Sequence, residues 1–259
     1  MAKMFMAERR NKIMELLNQE QRITVKDLSK KMGVSEATLR SDLNKMEKEG
    51  LLTRTFGGAV LNDYVENGTS FSVREKKNKA EKVKIAHQAI ELIKNNQCIL
   101  LDASSTVLEL ARLLKNKPIR LTVVTNGINT ALELNENAEI TVILLGGIVK
   151  QGSSSLEGTL GVDLLNKINV DQMFTSGNGF TFETGLTDFN YYEVELKREM
   201  IKKTKKVNAL IDHTKIGNTS IASFANANEI DTFITDQPVS KDTLDLFSKN
   251  HITFMCHEN

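Results

Sequence analysis

The 259-residue sequence predicts two units. The first is a small α/β winged helix-turn-helix over residues 1–61. The second is a larger α/β unit over 83–259, with a mostly parallel sheet covered by helices on both faces; a linker over 62–82 joins them. Three observations predict this. Apolar residues recur at helical spacing on either side of Gly33 and give way to an alternating stretch around Gly57-Gly58. A polar, turn-rich segment, Asn62 to Ser70, then runs into a charged one, Arg74 to Lys82. Beyond it, short apolar runs alternate with amphipathic segments, the pattern of a parallel sheet buried on both faces.

In the first unit a helix and a short strand precede Val25 to Met32, where Leu28 and Met32 stand four apart on one helical face. Gly33 supplies a permissive turn, Val34 points inward and Ser35 is a natural N-cap for the next helix. Leu39, Leu43 and Met46 form that helix's buried stripe. Its outer face is left to Ala37, Thr38, Arg40, Ser41, Asn44 and Lys45. Small and hydrogen-bonding residues followed by cations suit a helix whose start reaches base edges in the major groove. Arg40 matches a guanine, Asn44 an adenine, and Thr38 a thymine methyl or a phosphate. Leu51 to Val60 alternates around Gly57-Gly58 as a small β-wing, with Arg54 placed for a phosphate contact. A winged helix serving only protein contacts has the same spacing, so this motif alone leaves both uses open.

The formal charge of the whole chain is +1 and unevenly spread: residues 1–82 hold 17 Lys/Arg against 12 Asp/Glu, the remainder 17 against 21. A basic N-terminal unit on a mildly acidic body points to phosphate contact from one end. The surplus is modest. With the symmetry of DNA half-sites, it predicts a homo-oligomer, dimer or tetramer. No apolar stretch approaches the length of a membrane span, and Met1 to Arg10 lacks the apolar run of a secretion signal, so a cytoplasmic protein without membrane contact is expected. Cys98 and Cys256 lack metal-ligand spacing, and Cys98 reads as a small buried core residue. Four scattered His add no zinc site, so neither metal nor cofactor is expected.

From Val83 onward the elements follow in order. Val83, Ala86, Ile90 and Ile93 keep helical spacing. The strand-like runs are Cys98–Leu101, Leu121–Val124, Ile140–Leu145, Gln172–Thr175, Val207–Ile211 and Thr232–Ile234. Helical segments between them include Thr106–Leu114, Asn129–Leu134, Gly161–Ile168 and Tyr191–Lys203. Ligands of such sheets bind beyond the carboxyl ends of the strands. The first ends in Asp102, Ala103, Ser104, Ser105 and Thr106 and runs straight into a helix, an anion cradle suited to phosphate. The others end in Thr125-Asn126-Gly127, Gly146-Gly147, Ser176-Gly177-Asn178-Gly179 and Asp212-His213-Thr214-Lys215. A hydroxyl after a strand is ordinarily a helix cap. Five polar strand ends converging make a pocket.

These residues carry a family resemblance that covers essentially the whole chain. It resembles the DeoR-family transcriptional regulators. The N-terminal features are the Val34-Ser35 turn, Leu39-Arg40-x-Asp42-Leu43, Glu49-Gly50-Leu51-Leu52 and Gly57-Gly58-Ala59. In the body they are Glu81-Lys82-x-x-Ile85-Ala86, the Asp102 to Thr106 loop, Thr125-Asn126, Gly146-Gly147, Gly179, Gly185-Leu186-Thr187, Glu193 with Lys197-Arg198, and Asp212-x-Thr214-Lys215. The resemblance implies a repressor of sugar-metabolism genes that binds operator DNA and senses a phosphorylated sugar or related phosphometabolite, on a body similar to ribose-5-phosphate isomerase. It implies that Ser104, Ser105 and Thr106 hold the phosphate and that Asp102, Asn126, Lys197 and Lys215 bound the sugar side. The chain departs from the family in three places: Arg40-Ser41 replaces paired arginines, Phe56 replaces a His before the wing glycines, and Ser104 replaces a Gly, which requires a negative φ there to avoid strain.

The alternative is a phosphosugar isomerase or deaminase with an accessory nucleic-acid-binding unit. Such an enzyme needs a positioned carboxylate base. The related isomerases carry paired Asp where this chain has Ser176-Gly177-Asn178-Gly179, with no acid. Glu193 and Lys197, four apart, read as a solvated helix pair. A pocket without catalytic residues is therefore expected.

Overall fold

The computed structural model describes residues 6–20, 22–48, 51–55, 57–60, 71–150 and 153–256. Glu49-Gly50, Phe56 and residues 62–70 of the expected linker lie outside them. The chain divides into two compact units, Met1–Lys76 and Lys77–Asn259.

In the first unit α1 (Met6–Glu20) and β1 (Arg22–Thr24) lead to α2 (Val25–Met32) and α3 (Glu36–Lys48). Thr24 caps α2 by accepting from the Asp27 amide, and Gly33 ends it in the left-handed conformation at φ 64°. Ser35 Oγ accepts from the Thr38 amide at 3.3 Å, so the expected cap of α3 is present. Leu28, Leu39, Leu43 and Met46 are fully buried with Ile13, Leu17 and Leu52, while Met32 and Val34 pack half-buried at the margin. Antiparallel β2 (Thr53–Thr55) and β3 (Gly58–Val60) form the wing, and β3 also pairs with β1. A short helix α4 (Phe71–Lys76) closes the unit.

The second unit begins at Lys77, six residues earlier than the sequence suggests. Helix α5 (Lys79–Ala89) takes in residues 79–82 of the expected linker, and residues 71–76 of it form α4. Lys82 is buried, and the apolar stripe of α5 is Ile85, Ala86 and Ala89, with Val83 only half-buried.

The strands follow: β4 (Cys98–Leu101), β5 (Leu121–Thr125), β6 (Ile140–Leu144), β9 (Gln172–Thr175), β12 (Val207–Leu210), β14 (Thr232–Thr235) and β15 (Thr253–Cys256). They form one seven-stranded sheet in the order β15-β14-β12-β9-β4-β5-β6, every pairing parallel. Alternate residues of each strand enter two separate cores, as a sheet covered on both faces requires. Ile99 and Leu101 pack with α5, α6 (Ser105–Lys115) and α7 (Ile128–Leu134); Leu100 packs on the opposite side with α9 (Tyr191–Lys202).

The antiparallel pair β7 (Ile148–Val149) and β8 (Leu156–Glu157), the short helix α8 (Val162–Leu165), and a second sheet of β10 (Gly179–Thr181), β11 (Gly185–Asp188) and β13 (Ala222–Ala225) complete the unit with α10 (Lys241–Lys249). Expected helix 161–168 is thus limited to α8. Cys98 opens β4 half-buried rather than buried, and burial together with Asp171 pushes its thiol above the ordinary value. No described helix is long and apolar enough to cross a membrane.

Candidate functional site

The N-terminal unit presents α3 as expected. Ala37, Arg40, Ser41, Asn44 and Lys45 are exposed, and Thr38 is half-buried with its hydroxyl 2.9 Å from that of Ser35. Arg40 pairs with Glu36 at 3.0 Å across one turn, an exposed pair of little energetic weight. Arg54 lies on the wing but turns toward α3: its guanidinium donates to Asn44 and its amide to Glu47 Oε1 at 2.8 Å. The Asn44 carbonyl and the Arg54 side chain, each expected to face DNA, thus hold the wing against the helix. Gly57 sits at φ 89°, and Gly58 packs so closely that an added Cβ would lie 2.3 Å from the Ile23 carbonyl oxygen. The sequence also left Asp42 without a role. It is buried on the inner face of α3 and held by Arg9 of α1 at 2.7 and 3.3 Å, a fork that fixes the helix's orientation.

In the second unit the residues after β4 and β9 meet in one buried cluster. Asp102, fully buried, accepts from the Ser104 amide at 2.9 Å, the Thr175 hydroxyl at 2.6 Å and the Ser176 amide at 3.0 Å. Lys197 of α9 reaches it at 3.4 Å and donates to Asp188 at 2.8 Å and to the Ser176 carbonyl at 2.7 Å, with the Phe224 ring centroid 4.7 Å away. Burial alone depresses a lysine, yet Asp188, Asp102 and Glu193 together raise the Lys197 ammonium above its ordinary value. Asp102 and Lys197 come together as expected, and both are engaged with protein partners.

Helix α6 starts beside this cluster. Ser104 caps it, accepting from the Val107 amide at 3.2 Å with φ −72°, so the residue standing in for glycine carries no left-handed strain. Ser104, Ser105 and Thr106 are buried, and the Ser176 hydroxyl approaches that of Thr106 at 3.4 Å. One strand away, Thr125 accepts from the Gly127 amide at 3.0 Å, and Gly127 passes so near Ala103 that an added Cβ would lie 3.1 Å from its Cα. The two strand ends are therefore in contact. Asn126 is only 2% exposed; its amide group donates to the Leu156 carbonyl at 3.0 Å, while its Oδ1 has no hydrogen-bond partner among the described residues.

On the other side, after β12, Asp212 accepts from Asn78 at 3.1 Å and from Thr214, and Lys215 stands 3.4 Å from its Oδ2. That oxygen is buried without a hydrogen bond among the described residues. Burial pushes the Asp212 carboxyl up, but Lys215, Thr214 and Asn78 outweigh it and hold the group below its ordinary value.

The remaining expected residues have packing roles. Gly147 allows the Glu157 carbonyl oxygen to come within 2.7 Å of where a Cβ would be, and the Gly146 carbonyl lies equally close against Gly161. Asn178 and Gly179 turn into β10: the Asn178 amide donates to Thr187 at 2.8 Å, and an added Cβ on Gly179 would lie 2.4 Å from the Asn218 carbonyl oxygen.

Glu193 and Lys197 are not the solvated pair expected. Both are buried, and Glu193 accepts from the Ser155 hydroxyl at 2.8 Å. Sequence reasoning missed Asp188, Ser155, Asn78 and Asp236, the last of which holds the His213 amide and ring at 2.8 Å. Only Asp236 carried a signal, a polar residue closing an apolar strand.

Comparison with known proteins places both units. A model of the DeoR C-terminal sensor domain matches residues 77–237, and one of the DeoR-like helix-turn-helix domain matches residues 9–65. The HTH-type transcriptional regulator GolR of Listeria innocua is 50% identical over 238 residues, 92% of this chain and 93% of that protein. The HTH-type transcriptional repressor GlcR of Bacillus subtilis is 35% identical over 98% of each chain. The glycerol-3-phosphate regulon repressor of Escherichia coli is 28% identical over 95% of this chain and 96% of that protein. Among solved structures, ribose 5-phosphate isomerase A of Methanocaldococcus jannaschii aligns with 54% of this chain and 55% of its own at 17% identity and a TM-score of 0.42.

Proposed function

The chain belongs to the DeoR family of transcriptional regulators, and on that premise we propose that it is a repressor of sugar-metabolism genes whose operator affinity is set by a phosphorylated sugar bound in its second unit. DNA is read by α3 through Arg40, Ser41 and Lys45, with Ser35 and Thr38 at the helix start and Gly57-Gly58 shaping the wing. Asn44 and Arg54 reach DNA only by exchanging their mutual hydrogen bond for contacts with it.

One observation carries the ligand class. A helix start furnished with Ser104, Ser105 and Thr106 lies next to a buried acceptor, Asn126 Oδ1, that has no donor among the described residues. Helix-start amides favour a phosphate. An unpaired buried acceptor costs about 1–3 kcal/mol, which a ligand hydroxyl recovers by donating to it. A polyhydroxylated phosphate has both groups. Thr125, Gly146, Gly147, Asn178 and Gly179 shape the walls, while Asp102 and Lys197 hold the floor. Lys215, ion-paired with Asp212 Oδ2 at 3.4 Å, lies two strands from α6, about 10 Å at ordinary strand spacing. There it meets the far end of an extended sugar.

The protein is read as non-catalytic. Asp102 and Asp188 are both buried and share Lys197, at 3.4 and 2.8 Å, so both carboxylates are engaged with protein partners. Function in the cytoplasm as a dimer or tetramer follows from the DNA-binding role.

Fluorescence anisotropy on the DNA upstream of the chain's own gene, titrated with a panel of sugar phosphates, tests the whole reading. A salt-sensitive, sequence-selective complex whose affinity moves with one panel member is the expected result. Turnover of a panel member without selective DNA binding would overturn it. Within the same assay Arg40→Ala should weaken specific binding by about 1–3 kcal/mol and leave sugar-phosphate binding intact. Equal losses on operator and random DNA would reduce Arg40 to a phosphate contact.

A further inference from the structure

We propose that Asn78 is the positioning residue that couples occupancy of the sugar-phosphate site to the N-terminal unit, through a two-pronged hydrogen bond to the strand-end motif Asp212-x-Thr214-Lys215. The inference rests on the reading of that site given above.

Asn78 is the second residue of the C-terminal unit, directly after the chain arrives from the first. Its backbone is left-handed, φ 52° and ψ 41°, immediately before α5, and its side chain does not cap that helix. Residues with a Cβ enter this region at a cost, and Asn does so more readily than most. Its Nδ2 is committed elsewhere, donating to Asp212 Oδ1 and to Thr214 Oγ1, both at 3.1 Å and more than 130 residues away in sequence. The turn is bolted a second time: buried Lys82 donates from Nζ to the Lys77 carbonyl at 2.7 Å, and its amide bonds to the Asn78 carbonyl at 3.1 Å.

One carboxylate therefore looks two ways. Asp212 Oδ1 grips the residue that directs the chain between the units, while Asp212 Oδ2, 3.4 Å from Lys215, has no hydrogen bond among the described residues. A ligand hydroxyl donating to Oδ2, or a ligand anion drawing Lys215 away, redistributes charge on the same carboxylate and changes its hold on Asn78. Without that hold the left-handed backbone at residue 78 keeps only the Lys82 hydrogen bonds, and the chain preceding α5 is free to leave in another direction. Held and released, this turn would supply the two arrangements that coupling requires.

Asn78→Gly removes both hydrogen bonds while keeping the left-handed conformation free of strain, so the fold survives; a thermal melt matching the parent verifies it. Glucose 6-phosphate, fructose 1-phosphate, fructose 6-phosphate and glycerol 3-phosphate are each tested for binding to the full chain by calorimetry. The ratio of operator dissociation constants with and without the binding compound is then read by anisotropy. Asn78→Gly should bind the compound within tenfold of the parent, while the operator ratio falls at least fivefold toward one. A ratio within twofold of the parent, with binding retained, would overturn the coupling role and leave the sugar-phosphate reading standing. Loss of binding by more than a hundredfold would make Asn78 a support of the site and nothing more. If none of the four binds the parent chain, the sugar-phosphate reading fails and this inference fails with it.

Discussion

At the scale of single residues, the strand ends are governed by how buried charge is balanced. Lys197 is enclosed with Asp102 and Asp188, and desolvation of three ions is tolerated because their remaining hydrogen-bonding capacity is met by Ser176, Thr175 and the Ser104 amide. Asp212 is balanced less completely, which gives it a measurable signature. Its folded-state carboxyl is held below the ordinary value of 3.8 by Lys215, Thr214 and Asn78 against the opposing effect of burial. A depressed carboxyl contributes stability that is fully present above its unfolded value and is lost as pH falls through the folded one. The gap in urea midpoint between the parent and Asp212→Asn should therefore be widest above the ordinary carboxylate value of 3.8 and narrow progressively as pH falls below it. A gap that stays constant across that window would show that Asp212 is not ionically held. Little of this balance was legible in the sequence. Asp102, Ser104 and Asp212 announced themselves by following apolar strands, and Lys197 entered only through the family resemblance. Asp188 carried no mark at all, because its partnership with Lys197 exists only once β11 folds back beneath α9.

Elements were legible in proportion to how uniform their environment is. Six of the seven parallel strands stand out as short, mostly apolar runs, and β9, β12 and β14 are buried along their whole length. The strands β10, β11 and β13 do not: they mix Gly, Thr, Ser and Asp, and β11 begins with Gly185, where an added Cβ would lie 1.9 Å from the Ala225 carbonyl oxygen. Helix α10 buries only Phe247 fully, too sparse a stripe for periodicity to find. The wing shows the same physics as a contrast between neighbours. At Gly58 a Cβ would strike the Ile23 carbonyl oxygen at 2.3 Å and the Thr24 Cα at 2.9 Å, backbone atoms of the strand paired with β3. At Gly57 it would meet nothing within 4 Å, and the penalty is the positive φ alone, about 1–2 kcal/mol. Gly58→Ala should thus part β1 from β3 and lower affinity for operator and random DNA alike by well over tenfold. Gly57→Ala should cost less, at most about thirtyfold for a penalty of about 2 kcal/mol, since 1.4 kcal/mol is a factor of ten. Anisotropy on both DNAs, alongside the melting temperature of each variant, checks the order; a more damaging Gly57→Ala would mean that the wing tip touches DNA directly.

For the whole molecule, the question is how a chain with a formal charge of +1 binds a polyanion tightly. Its N-terminal 82 residues carry a surplus of only five positive charges, and Arg40 and Arg54 are already engaged with Glu36 and Asn44. Each phosphate neutralised by a protein cation releases counterions, so the logarithm of affinity falls with the logarithm of salt at a slope of about −0.9 per phosphate. One unit with so small a surplus makes a shallow slope and weak binding. Two units on half-sites about 34 Å apart make twice the slope and multiply the affinity. The slope on DNA with two half-sites should therefore be about double that on DNA with one, and sedimentation should find at least two chains on the longer DNA. Equal slopes with a single chain on both would leave one winged helix to supply all the affinity. The specificity would then have to come from base contacts by α3 alone, with the Arg40–Glu36 and Arg54–Asn44 pairs broken on binding.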